Sequence, residues 1–185
     1  MHYETHEMPV YTLTLVKPGT WGPKLIRHAD GPPCDVSGPQ NPATGLPDPG
    51  AGVFPPRCET STSVPGKNGR IVQGDRNTTM AVLVGFLART AGRPVVDRTG
   101  ITDRIDYRLE WSLDDAARTA SRLQLENLIA RGVITRMPPG VEDQPDPDPV
   151  TFMDAVREQL GLKLQSTKAP VQTLVIDRIE RPSEN

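Results

Sequence analysis

Asp97-Arg-Thr-Gly-Ile-Thr comes close to Asp-Lys-Thr-Gly-Thr, a stretch around which aspartyl-phosphate chemistry is organised, so Asp97 is the first residue to weigh as a nucleophile. That chemistry needs a strand ending at the aspartate, a Mg2+ held by further carboxylates, and a lysine with a second acidic loop later in the chain. "RPVVD" offers the strand. The string Gly-Asp-Arg-Asn from Gly74 to Asn77 precedes Asp97 instead of following it, and the 185-residue chain ends too soon afterwards for a doubly wound domain. The stretch therefore reads as a turn between two strands, in which Gly100 permits a positive φ and Asp97 accepts from neighbouring backbone N–H groups.

Other residue sets carry other chemistries. Glu142, Asp143, Asp146 and Asp148 form an acidic string whose oxygens suit Ca2+, although prolines at 145, 147 and 149 replace the features of an EF-hand loop. With Asp143, Asp146 and Asp148 as metal ligands and Asp97 or Asp103 as base, the chain would be a calcium-dependent hydrolase of small esters or lactones. His2, Glu4 and His6 alternate, so on a strand they share a face, as a two-histidine, one-carboxylate metal site requires; three solvated residues on a strand edge is the plainer reading. Nothing in the sequence places His28 near them. Asp97, Asp103, Asp106 and Glu110 crowd beside Arg93, Arg98, Arg104 and Arg108, a pattern that fits cross-strand ion pairs on a wet face and equally the lining of a cleft. No serine sits in a Gly-x-Ser-x-Gly elbow and neither cysteine has a glycine-rich setting, which leaves covalent serine or cysteine hydrolysis without local support.

The cysteines are Cys34 and Cys58, too few for a closed cysteine zinc site. A disulfide is one reading and two free thiols the other. A bridge closing this loop contributes about 3 kcal/mol in the chain-entropy description. It forms only in an oxidising compartment.

The net charge of −2 and the absence of a basic stretch interleaved with aromatics exclude a nucleic-acid backbone as the main partner. No apolar run approaches the roughly 18 to 20 residues that span a bilayer, and the start "MHYETHEMPV" carries no signal-peptide pattern. Aromatic residues make up 4% of the chain, so aliphatic side chains are expected to build the core.

The elements that must position these residues follow from periodicity. "PVYTLTLV" alternates as a strand with one buried face, "KPGTWGPK" turns, and "KLIRHA" can return beside it. From residue 30 to 66 no regular element fits, since this tract holds nearly half of the chain's 20 prolines. "GRIVQGD" is a short strand. Met80, Leu83, Val84, Leu87, Ala88 and Ala91 mark one face of a helix ended by Gly92. "RPVVD" and "IDYRLEW" form a hairpin. Ser112 caps an amphipathic helix to residue 131, "VITRM" can be a strand, and residues 138–149 are a second, acidic, proline-rich loop. Thr151 and Asp154 open a third helix ended by Gly161, and "LKLQSTKAPVQTLVIDRIERP" reads as a hairpin whose Leu174-Val175-Ile176 run is covered on both faces. Residues 78–111 and 151–181 thus repeat helix, glycine, strand, turn, strand. The expectation is a single α+β domain over 1–185, with an antiparallel or mixed sheet built from two helix-plus-hairpin units and helices on one face.

"GRPVVDRTG", "EQLGLKL" and the closing "VIDRIERPSEN" resemble a family of uncharacterised proteins abundant in soil acidobacteria, and the likeness extends over most of the chain. The resemblance implies an exported protein, periplasmic or secreted, with a cysteine pair in the proline-rich loop; some relatives are associated with membrane metallopeptidases of the antibiotic-sensor type. It brings no catalytic residue. This chain departs from the family by starting within the first strand and by carrying the helix over 112–131. More distantly, the helix-glycine-strand-strand pattern is similar to the short N-terminal domain of secretins and TonB-dependent receptors, which implies an envelope module that binds a protein or peptide partner, for instance by strand addition.

Overall fold

The computed structural model describes residues 1–34, 54, 57–137 and 146–178. "PVYTLTLV" is the inner part of a longer strand, β1 (His2–Leu15), flanked by two others; β2 (Leu25–Arg27), β3 (Thr62–Pro65), β4 (Arg70–Thr78), β5 (Val95–Asp97), β6 (Ile105–Ser112) and β7 (Leu162–Val175) follow. A three-stranded sheet has the order β5-β1-β7 and a four-stranded sheet the order β2-β6-β4-β3. In the first, β7 pairs antiparallel with β1 from His2↔Val175 to Leu15↔Leu162, while β5 lies parallel to β1 only at Tyr11 to Leu13. The second is antiparallel throughout. Three helices, α1 (Met80–Ala91), α2 (Asp115–Ala130) and α3 (Phe152–Leu160), complete an α+β fold.

The helix ends lie where sequence chemistry puts them. Gly92 (φ +68) and Gly161 (φ +67) close α1 and α3 in the left-handed conformation, and the Thr151 hydroxyl accepts from Asp154 N at 3.1 Å at the start of α3. The repeated unit survives as helix, glycine, strand: α1 feeds β5 and α3 feeds β7, on opposite sides of β1. The expected hairpins do not form. β5 and the "IDYRLEW" strand, β6, lie in different sheets, "KLIRHA" pairs with β6 and not with β1, and "LKLQSTKAPVQTLV" runs as one 14-residue strand. A period of two identifies a strand but carries no information about its partner, and here the matching partner of each lies far away in sequence. Leu174 and Ile176 are half exposed, so the apolar run at the end of β7 is not covered on both faces. "VITRM" turns instead of extending, and Thr62–Pro65 adds an edge strand inside the tract expected to be irregular.

One core joins both sheets. Leu13 of β1, Leu25 of β2, Ile105, Tyr107, Leu109 and Trp111 of β6, and Leu162 of β7 meet Met80, Leu83 and Leu87 of α1 and Ala155, Val156 and Leu160 of α3. Aliphatic side chains make up most of it, as expected, and several of the scarce aromatics join them: Trp111 and Phe152 stack edge-on at 5.4 Å, and Phe86 lies 5.9 Å from Trp111 and 6.2 Å from Phe152. Val10 is also fully buried, so β1 hides residues on both faces where β5 and β7 flank it.

Two contacts lock α3 to its neighbours. Gly22 and Gly161 pack backbone against backbone; Gly22 N donates to Leu160 O at 3.0 Å, Lys24 N to Gln159 O at 2.8 Å, and Val16 N to Gly161 O at 2.9 Å. The Gln159 amide meanwhile donates to Glu110 O at 2.6 Å and accepts from Glu110 N at 3.0 Å, extending the β6 edge. Helix α2 begins differently from expectation. Asp114, not Ser112, caps it by accepting from Ala117 N at 2.7 Å; of its leucines, Leu125 and Leu128 are part-buried and Leu123 is 55% exposed.

Candidate functional site

The residues singled out by sequence occupy separate parts of the fold. Asp97 ends β5 and its Oδ1 accepts from Thr99 N and from the Thr99 hydroxyl, both at 2.8 Å, the turn role expected of it. Asp103 is exposed and pairs with Arg27 at 3.2 Å just before β6. Asp146 lies at the far end of β6, about 23 Å away by strand rise. Its Oδ2 accepts from Arg70 Nε and from the Ser112 hydroxyl, both at 2.6 Å, and its Oδ1 from Asp148 N at 3.1 Å; Asp148 O in turn accepts from Arg70 Nη2 at 2.7 Å. Asp143 lies outside the described residues. Both Asp146 oxygens thus serve to pin the start of β4 and the end of β6 to the segment that leads into α3.

The Arg70 guanidinium, followed by the Ser112 hydroxyl, holds the Asp146 carboxyl well below the usual carboxylate range. A carboxyl whose folded value lies below its unfolded value near 3.9 contributes its full stability above about pH 5 and loses it as pH falls through the unfolded value towards the lowered one. Asp146→Asn is therefore expected to melt earlier than the parent at neutral pH, with the gap shrinking steadily as pH falls from about 5 to about 2. Melting curves followed by circular dichroism across that range check this; parallel curves at every pH would show that the carboxylate plays no such part.

His2, Glu4 and His6 do share a face of β1. The Glu4 carboxylate bridges the rings, with Oε1 at 2.8 Å from His2 Nε2 and Oε2 at 2.9 Å from His6 Nε2, and these contacts lower its pKa, His2 contributing most. All three are exposed on the outer part of the β1/β7 ribbon, and they do not converge on a common point for a metal.

The convergent polar site is one that sequence reasoning missed, and it surrounds Asp106. Of the two readings, a wet face or a cleft lining, the wet face fails for Asp106, which is fully buried. Its Oδ2 accepts from Arg76 Nε at 2.9 Å; its Oδ1 accepts from Asn77 N at 2.9 Å and lies 2.7 Å from His28 Nδ1. Arg76 is 2% exposed and also donates to the carbonyls of Pro32 and Pro33. A bulge in the β4/β6 pairing between Asp75 and Thr78 makes this possible, with Asn77 in the left-handed conformation at φ +52, which turns its N–H from the ladder to the carboxylate. Gly31 is required for access, because a Cβ there would lie 2.8 Å from Asp106 Oδ2.

Cys34 and Cys58 form a disulfide, with Cα atoms 5.5 Å apart, at the outer rim of the same site. Cys34 Sγ is 3.9 Å from His28 Nε2. Glu59, next to the bridge at φ +56, donates its N–H to Arg76 O at 2.8 Å and accepts from the Asn77 amide at 2.8 Å. The clasp therefore fastens the proline-rich tract onto the bulge of β4. No signal in the sequence joins residues 28, 76 and 106, which alternation alone would place on unrelated surfaces.

On the other face of β6, Tyr107 pairs with Asp75 across the ladder. Its hydroxyl is buried without a hydrogen-bond partner among the described residues, while the neighbouring Gln73 amide donates to Ser61 Oγ at 2.8 Å. Burial pushes the phenol up to about 12, which keeps it protonated at neutral pH, and burial also raises Asp75.

No helix among the described residues is long and apolar enough to cross a membrane. No curated protein and no solved structure matches the chain. A family model described as a protein of unknown function (DUF3738) matches residues 1–179, nearly the whole chain, and the protein belongs to that family.

Proposed function

We propose that the chain is a non-catalytic envelope module that binds an extended segment of a protein or peptide partner along the open edge of β1. The observation that carries this reading is the mismatch between a 14-residue strand and a neighbour that pairs with it only from Tyr11 to Leu13. Tyr11 N donates to Pro94 O and Leu13 O accepts from Arg98 N, so the odd-numbered residues of β1 turn their backbone groups towards that edge. By the same alternation Tyr3, Thr5 and Glu7 present N–H and C=O groups with no strand opposite them among the described residues, the template that strand addition uses. Pro9 has no N–H to give just before the point where β5 begins, which confines an added strand to the stretch from Tyr3 to Glu7. Tyr3 is 70% exposed and faces Leu174 across the ribbon, an apolar anchor for the partner's side chains. The disulfide supports an oxidising compartment, periplasmic or extracellular. The calcium-dependent hydrolase has no comparable support, since Asp103 and Asp146 lie at opposite ends of β6 and Asp146 is engaged by Arg70.

Thr5→Pro tests the reading, because the N–H it removes faces the open edge and the ladder to β7 is left intact. Pull-down from envelope extracts with the parent chain should recover one discrete partner, and the variant should retain at most about a tenth of it at unchanged stability, the loss of about 1.4 kcal/mol or more expected when an edge bond is removed and a proline ring obstructs the approach. Equal recovery by both chains would end the edge assignment. Recovery of no partner, together with turnover of a small ester, would end the binding-module reading.

A further inference from the structure

His28 Nε2 and the sulfurs of Cys34 and Cys58 all lie within 4.8 Å of one another. The other ring nitrogen, Nδ1, is 2.7 Å from Asp106 Oδ1, and Asp106 is fixed in turn by Arg76 and Asn77 N. A carboxylate in that place takes the Nδ1 proton as its hydrogen bond and leaves the lone pair on Nε2, on the side of the sulfurs. An imidazole and two thiolates are a zinc ligand set, and a carboxylate behind the ligating imidazole is the support that orients such rings and raises their basicity.

We propose that the clasp is a redox-gated zinc site, closed as a disulfide and, once reduced, able to bind one Zn2+ through His28 Nε2, Cys34 Sγ and Cys58 Sγ. Tetrahedral zinc with Zn–S near 2.3 Å and Zn–N near 2.0 Å sets a sulfur and a nitrogen ligand about 3.6 Å apart and two sulfurs about 3.8 Å apart. His28 Nε2 already stands 3.9 Å from Cys34 Sγ, so the imidazole needs almost no movement. The sulfurs must separate, and rotation of two side chains whose Cα atoms are 5.5 Å apart accomplishes this. Charge also balances: two thiolates neutralise the ion, and the Asp106 charge behind the ring is already matched by Arg76. With three ligands from the described residues, the fourth position falls to water.

The conversion needs a dithiol reductant. It delivers two electrons and two protons to the Cys34–Cys58 bond, becoming a disulfide itself; Zn2+ then replaces the two thiol protons, which leave to solvent. The consequence is a loop that stays closed in either redox state, covalently when oxidised and through the metal when reduced.

Co2+ titration of the full chain tests this, with one sample oxidised and the other reduced by a phosphine that is then removed. The reduced protein is expected to bind one equivalent, with a thiolate-to-cobalt charge-transfer band and the strong visible bands of tetrahedral cobalt, both abolished by added Zn2+; the oxidised protein should show neither. His28→Ala should weaken uptake by at least about tenfold. X-ray absorption at the zinc edge of the reduced parent chain should return two sulfur and two nitrogen or oxygen neighbours, a result that depends on no variant. Reduced, folded protein that binds no Co2+, equal uptake by the oxidised form, undiminished affinity in His28→Ala, or a sulfur-free zinc shell would each overturn the proposal.

Discussion

Asp106→Ala is expected to lose about 3 to 5 kcal/mol of stability, the range observed when one partner of a buried ion pair is removed and the other is left in place. Arg76 is the reason. It is 2% exposed, and its Nε donates to the Asp106 carboxylate at 2.9 Å, so the variant removes a negative charge that faces this buried guanidinium. Two further donors lose the same acceptor, Asn77 N and the His28 ring. Asp106→Asn should recover only part of the loss. Its oxygen can stand where Oδ1 receives His28 and Asn77 N, but its NH2 group then faces Arg76 Nε, donor against donor. Urea denaturation of the three chains, oxidised and at neutral pH, measures both numbers. A loss below about 1 kcal/mol for Asp106→Ala would mean that water reaches Arg76 and that the network does not organise this side of the sheet.

Gly22→Ala is expected to cost about 3 to 5 kcal/mol without touching any apolar side chain. A Cβ at this position would lie 2.3 Å from Gly161 N, 2.4 Å from Leu160 C and 2.5 Å from Gln159 O, and all three are backbone atoms at the end of α3 that no rotamer change can move aside. Overpacking alone costs about 1 to 3 kcal/mol. The two backbone hydrogen bonds that join the segment at 22–24 to α3, from Gly22 N to Leu160 O and from Lys24 N to Gln159 O, would be lost as well, at about 1 kcal/mol each. Thermal melts of Gly22→Ala beside Gly19→Ala separate contact from backbone freedom, because Gly19 has a positive φ but nothing within 4 Å of its Cβ position. Gly19→Ala should lose only about 1 kcal/mol, the ordinary cost of a side chain at positive φ. Equal losses would show that the close approach to α3 yields easily.

What was legible in the sequence follows from how far each signal reaches. Helices α1 and α3 were read with their ends because Gly92, Thr151 and Gly161 act within one turn of the residues they terminate. The start of α2 was misread at Ser112 because that hydroxyl is recruited by Asp146, 34 positions later. Strands were recognisable by their alternation, but their partners were not: Glu4 and Thr173 meet at a separation of 169 residues, and nothing local specifies such a match. The same distance rule governs the polar centre. Cys34 and Cys58 could be read as a candidate pair because cysteine has few other uses, whereas Asp106, lying between Ile105 and Tyr107 in a well-marked strand, looks like any solvated acid until residues 28 and 76 arrive.

The pairing of β1 with β7 also fixes the order in which the molecule can assemble. On the ribosome β1 is made long before β7, and in the interval its one native neighbour is the three-residue β5, so most of the strand waits without a partner on either side. Closure of so large a loop belongs to the slow, non-local class of folding steps, in the millisecond-to-second range. A strand kept waiting is a strand that can pair wrongly with another copy, and the residues along β1 answer that hazard: Glu4 and Glu7 set like charges against a second chain, and Pro9 breaks any ladder that starts from the inner end. The charge and the proline that limit what may join the finished edge also protect the nascent chain until its own last strand emerges.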